Sequence, residues 1–144
     1  MKLTIMQGLP GAGKSSVTAR NYQGWQVVCL DDLRLALGHE FNPGTETMVL
    51  AVAEAMVRSH LLGGRDVVVD DTHTRMDNVL RWVRMGREHG AEVWLHRIVC
   101  DVEECVRRRQ GTAVNREHIE RMAGNLARWD LSPDVFDQVI TGEG

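Results

Sequence analysis

The stretch Gly8-Leu9-Pro10-Gly11-Ala12-Gly13-Lys14-Ser15-Ser16 brings three glycines, a lysine and two hydroxyls together, and it satisfies the spacing G-x-x-x-x-G-K-[ST] in full. Glycines allow successive backbone N–H groups to turn inward around an anion, because they tolerate positive φ and carry no Cβ. A helix starting near Gly13 adds the positive end of its dipole. The chemistry is that of gripping a nucleoside triphosphate: Lys14 reaches the β and γ phosphates, and the Ser15 hydroxyl ligates Mg2+. Of 17 basic residues only Lys2 and Lys14 are lysine. A chain that otherwise uses arginine keeps a compact point charge in this turn.

Two acid-bearing stretches supply candidates for the rest of a reaction. Asp31, in Asp31-Asp32-Leu33-Arg34, is expected at the carboxyl end of a strand, where its carboxylate can face the γ-phosphate and take the proton of an acceptor hydroxyl. Arg34, three residues on, shares its helical face and can hold an anionic acceptor. Asp31 and Asp32 equally fit plain helix capping. In Asp70-Asp71-Thr72-His73, the pattern of an apolar run followed by an acid selects Asp70 for an outer contact to magnesium, through the ion's water shell.

Strands are expected over Leu3–Gln7, Gln26–Leu30, Asp66–Asp70, Ala91–Val99 and Phe136–Thr141. Between them, helices are expected over 15–22, from Thr47 to the glycines at 63 and 64, and from an Asp77 cap to about His89. Two more follow, one opened by Asp101 and Glu104 as a capping box, one capped by Asn115. Strands alternating with helices predict an α/β fold, a doubly wound parallel sheet with helices on both faces, forming one domain over residues 1–144. Ligands of such sheets bind beyond the carboxyl ends of the strands, which gathers all three chemical stretches on one edge.

Composition narrows the classes further. The 144 residues are 43% hydrophobic and 26% charged, with a net charge of −3, which excludes coating nucleic acid by bulk electrostatics and leaves a local contact open. No apolar run reaches membrane-spanning length and MKLTIMQG is too short for a signal peptide, so a cytoplasmic protein with no membrane partner is expected. Cys29, Cys100 and Cys105 read as small core residues, and the scattered histidines do not suggest zinc.

The segments GLPGAGKSS, LDDLR, VVVDDT and RRRQGTAV, in this order and spacing, resemble the phage-type polynucleotide 5′-kinase family over nearly the whole chain. The resemblance implies a single-domain P-loop kinase fold that moves the γ-phosphate of ATP, with Mg2+, to a 5′-hydroxyl of DNA or RNA. It implies Asp31 as general base, Arg34 on the phosphate beside the reacting end, Asp71 and Thr72 on the acceptor, and Asp71 in preference to Asp70 near the metal. It also implies a lid arginine clamping the donor phosphates, within about 107–115. Arg109 is the first choice and Arg108 the second, since Glu103 with Arg107 and Glu104 with Arg108 have the spacing of ordinary helix pairs, and Gly111 lets such a segment close.

The chain departs from the family pattern at His73, where asparagine is expected, and in a shorter lid segment. Other acceptors compatible with the same residues are a hydroxymethylated base in duplex DNA, a nucleoside or another small molecule. A nucleotide-hydrolysing switch is the reading from another class, and no Asn/Thr-Lys-x-Asp stretch accompanies it. Trp25, Trp82, Trp94 and Trp129 are able to stack bases, but Trp82 and Trp94 fit a core, and none is assigned a role. His39 falls in an expected loop over the acceptor cleft, without a role.

Overall fold

The computed structural model describes residues 1–38 and 42–144; His39 lies outside the described residues. Five strands, β1 (Lys2–Gln7), β2 (Gln26–Cys29), β3 (Val67–Asp70), β4 (Glu92–Val99) and β5 (Gln138–Glu143), form one sheet in the order β2-β3-β1-β4-β5. Every neighbouring pair is parallel. Among the described residues the helices are α1 (Lys14–Asn21), α2 (Leu30–Ala36), α3 (Pro43–Leu62), α4 (Met76–Glu88), α5 (Val102–Arg108) and α6 (Arg116–Ala127), with a single 3-10 turn at Pro133–Val135.

Strand alternation sorts the core into two layers. Leu3, Ile5, Val67, Val69, Val93 and Leu95 pack under α3 and α4, where Val49, Ala53, Val57, Val79 and Trp82 are buried. Met6, Val68 and Ile98 face the other way, against Val17 of α1, Cys105 of α5 and Ile119 of α6. The strands of the sheet's middle are therefore apolar on both faces, which is why the valine run of β3 has no polar positions before Asp70.

Several expected boundaries shift for local reasons. β2 stops at Cys29, because α2 begins at Leu30 with no intervening loop. β3 begins at Val67, since Asp66 is occupied otherwise: its carboxylate accepts from the Lys2 N–H at 2.8 Å and its carbonyl from Gln26 at 2.9 Å. β5 runs from Gln138 to Glu143, leaving Phe136 buried in the core before it. Arg75, not Asp77, occupies the cap position of α4; Asp77 sits in the first turn and pairs with Arg75. The Asp101–Glu104 capping box does not form, because Arg107 and Arg108 one turn on hold the Glu104 carboxylate. Glu103 pairs with Arg116 of α6 instead of Arg107. Asn115 caps α6 as expected, accepting from the His118 N–H at 2.9 Å.

Candidate active site

The parallel sheet brings the carboxyl ends of β1, β2 and β3 to one edge, and the three stretches singled out in the sequence meet there. The turn between β1 and α1 contains Gly11 at φ 84° and Gly13 at φ 102°, conformations that L side chains rarely adopt. Gly8 is required for a different reason: a Cβ there would lie 2.9 Å from the Ile98 carbonyl oxygen. Its N–H donates to the Thr72 carbonyl at 3.0 Å, tying the turn to the loop after β3.

Lys14 is buried, and its ammonium donates to the Gly8 and Leu9 carbonyls at 3.0 Å each. Burial pushes its pKa below the ordinary lysine value, opposed by the Asp70, Asp71 and Asp31 carboxylates and reinforced by Arg109. These five side chains thus share one electrostatic neighbourhood. The Ser15 hydroxyl donates to Asp70 Oδ2 at 3.0 Å. Asp70 is 5% exposed, and burial raises its pKa, against the lowering effects of Lys14 and Ser15. A hydroxyl and a carboxylate side by side are the hard oxygen donors Mg2+ prefers, and this ion takes its remaining ligands from phosphates and water, so the residues fit it. Asp70 is the acid joined to Ser15; Asp71 turns to Arg34.

Arg34 is the hub of a second cluster beside this one. Its Nη1 donates to Asp31 Oδ1 at 2.6 Å, and it lies 3.5 Å from both Asp71 oxygens. Glu46, in the first turn of α3, accepts from Arg34 Nε at 3.1 Å and Nη2 at 2.5 Å. Burial opposes the Arg34 charge, but the Glu46 hydrogen bonds, Asp71, and Asp31 together raise its pKa further. The Asp31 side chain is 74% exposed, whereas those of Glu46 and Asp71 are 19% and 17% exposed. Asp31 therefore presents its carboxylate outward, while Glu46 and Asp71 brace the guanidinium from behind.

His73, where the sequence departs from the expected pattern, has φ 49° and is 3% exposed. Its ring Nδ1 lies 2.5 Å from the Met6 carbonyl, so Nδ1 carries the proton, and its Nε2 is buried with no partner. Burial lowers its pKa, with Asp71 opposing. The imidazole anchors the loop that carries Asp71 and Thr72 to β1.

Of the three successive arginines, Arg107 turns away to Glu104. Arg108 Nη1 donates to the Gly11 carbonyl at 2.9 Å. Arg109 is half-buried against the same turn, its Cγ 3.3 Å from where a Gly11 Cβ would stand, and it makes no hydrogen bond to a described residue through its guanidinium. Gly111, at φ 79°, follows in the connection to α6. Two thiols near this edge are pushed up by burial, Cys29 to about 11 and Cys105 to about 12. Glu46 is the site residue that the sequence did not single out. Its signal is positional: Asn42-Pro43 opens α3 and sets Glu46 in the first turn, where an acid suits the helix dipole.

A family model described as AAA domain matches residues 3–137. The chain belongs to that family. No curated protein matches it. Among solved structures it is similar to a chain of the Pnkp1/Rnl/Hen1 RNA repair complex, with 26% identity and a TM-score of 0.78 over 90% of this chain and 46% of that one. A second structure of the Pnkp1/Rnl/Hen1 complex gives 28% identity and a TM-score of 0.67 over 79% of this chain and 40% of that one. The chain thus spans less than half the length of these relatives. A gluconokinase from Sinorhizobium meliloti 1021 shares the fold at 15% identity and a TM-score of 0.68, over 99% of this chain and 83% of that one. The AAA domain has a P-loop kinase-like fold. Its neighbours include an RNA repair complex and a gluconokinase, so the fold by itself does not choose the acceptor. Among the described residues no helix is long and apolar enough to cross a membrane.

Proposed function

We propose that the chain transfers the γ-phosphate of ATP to a 5′-hydroxyl end of DNA or RNA. The observation carrying this reading is the outward carboxylate of Asp31, held at 2.6 Å by Arg34 at the tip of β2 and within the electrostatic reach of Lys14. The backbone amides from Gly8 to Ser16, with Leu9 and Pro10 shaping the turn, hold the donor phosphates. Lys14 exchanges its carbonyl partners for phosphate oxygens, and Arg109, with Arg108 beside it, closes over them. Asp31 takes the proton of the incoming hydroxyl, and Arg34, braced by Asp71, orients the neighbouring phosphate while Thr72 lines the acceptor side. Ser15 and Asp70 would hold Mg2+, with Asp71 near its water shell; when bound, the ion neutralises charge developing on the β and γ oxygens.

Glu46 favours a second reading. An acceptor phosphate must compete with a two-point carboxylate clamp for Arg34, and an uncharged hydroxyl-bearing small molecule or base would not. Labelled ATP offered with 5′-hydroxyl oligonucleotides, hydroxymethylated duplex DNA, nucleosides and sugars separates the two. Label on the oligonucleotide ends is expected; label on a small molecule alone transfers the assignment to the second reading, and label in water alone overturns both.

Asp70 gives a prediction with opposite signs for stability and activity. Its folded pKa is raised above the ordinary 3.8, so its ionised form opposes folding at neutral pH, and the opposition fades as pH falls through the folded value. Asp70→Asn is therefore expected to melt at a higher temperature than the parent at pH 7 in EDTA, with the gap gone below 3.8. It is expected to lose about 10- to 100-fold in Mg2+-dependent turnover. Thermal melts at the two pH values and a magnesium titration of the rate check both halves.

A further inference from the structure

A second concave site lies across the Gly8–Leu9 limb of the phosphate turn. A cavity of about 270 Å3 is lined by Gln7, Gly8, Leu9, Arg97, Leu126 and Trp129 among others. Arg97, near the end of β4, stacks its guanidinium over the Trp129 ring at 5.4 Å. Its Nε donates to Gln7 Oε1 at 2.9 Å, and Gln7 Nε2 in turn donates to the His73 carbonyl at 3.0 Å. The terminal nitrogens of Arg97 make no hydrogen bond to a described residue, and no carboxylate of a described residue pairs with it. Of the arginines that are not exposed, Arg34 and Arg81 each have an acid, whereas Arg97 and Arg109 have none among the described residues. Burial lowers the Arg97 pKa with nothing opposing it. A half-buried, uncompensated guanidinium with free donors calls for an anion, and its stacked, planar setting suits one carried by a nucleotide.

We propose that Arg97 and Trp129 form a subsite for a backbone phosphate of single-stranded nucleic acid, at a nucleotide beyond the one that reacts. The inference rests on the nucleic-acid reading above and extends it to the length of the acceptor. On the other limb of the turn Arg108 meets Gly11. The Gly8–Leu9 limb faces Arg97, and Gln7 links Arg97 to the loop bearing Asp71 and Thr72. In the sheet, Cys29, Asp70, Met6 and His96 stand abreast. Cys29 and His96, which Asp31 and Arg97 closely follow, are thus about three strand spacings apart, roughly 14 Å, more than one nucleotide covers.

The test is anisotropy of a dye-labelled 5′-hydroxyl oligonucleotide of about ten nucleotides, across a salt series, with parent, Arg97→Gln and Arg97→Lys. Arg97→Gln removes the charge and leaves a shorter polar side chain, and it is expected to raise the Kd about tenfold and to flatten the slope of log K against log salt by about 0.7. Arg97→Lys, which keeps the charge and loses the planar stack, should fall between. The advantage of the long oligonucleotide over a dinucleotide should narrow in Arg97→Gln. An unchanged Kd and slope overturn the subsite, as does a loss that falls on ATP affinity instead. Phosphorylation of the same oligonucleotide is scored separately. Arg97-dependent binding without phosphorylation sinks the kinase reading and keeps the subsite; phosphorylation indifferent to Arg97 does the reverse; neither binding nor phosphorylation removes both.

Discussion

Asp31→Asn is expected to reduce the rate of phosphoryl transfer by about a hundredfold to ten-thousandfold, the range that a positioned general base contributes. Asparagine keeps the shape and can still accept the 2.6 Å hydrogen bond from Arg34, so the geometry of α2 survives the change. What disappears is the capacity to take a proton. Because the side chain is 74% exposed, its replacement leaves little to destabilise the fold, and the ATP binding proposed for the Gly8–Ser16 amides should persist. Single-turnover kinetics with saturating ATP isolate the step. Turnover at the parental rate with any phosphorylated acceptor would remove Asp31 from the mechanism.

Arg34→Ala is expected to have the largest effect on stability. It leaves Glu46 and Asp71, which are mostly buried, with their charges uncompensated, and removing one partner from such a cluster costs about 3 kcal/mol. For a chain of this size that is a fall of roughly 10 °C in Tm. Asp31 adds little to this, being largely in water. The double variant Arg34→Ala/Glu46→Ala should be less destabilised than the sum of the two single changes, since each alone strands the other group. Additive losses would mean that Glu46 does not brace Arg34. Activity is expected to fall in every one of these variants, and calorimetry at a temperature where all are folded separates that loss from unfolding.

Local chemistry made much of this legible from sequence. The glycine turn announces itself because positive φ, close approach and a lone lysine leave few other uses for those residue types, and the valine run of β3 announces a strand covered on both faces. Asp31 and Arg34 are neighbours by helical spacing, so their pairing is equally local. Contacts that depend on packing between distant elements leave no such trace. Glu46 reaches Arg34 because α3 lies beside α2. Arg97 stacks on Trp129 because the chain after α6 crosses back over the end of β4. That Asp70 rather than Asp71 meets Ser15 turns on which way one strand end points, which neighbouring acids in a sequence do not reveal.

The position of β1 in the sheet also bears on how the chain is made. Of the five strands of this sheet it is synthesised before the others, yet its partners are β3 and β4, whose residues begin at Val67 and Glu92. At roughly 5–20 residues per second, Leu3, Ile5 and Met6 wait for several seconds with no strand to join. Through that interval the nascent segment is an apolar edge without cover, a target for holding chaperones, and the phosphate turn can take shape only after synthesis has passed the middle of the domain.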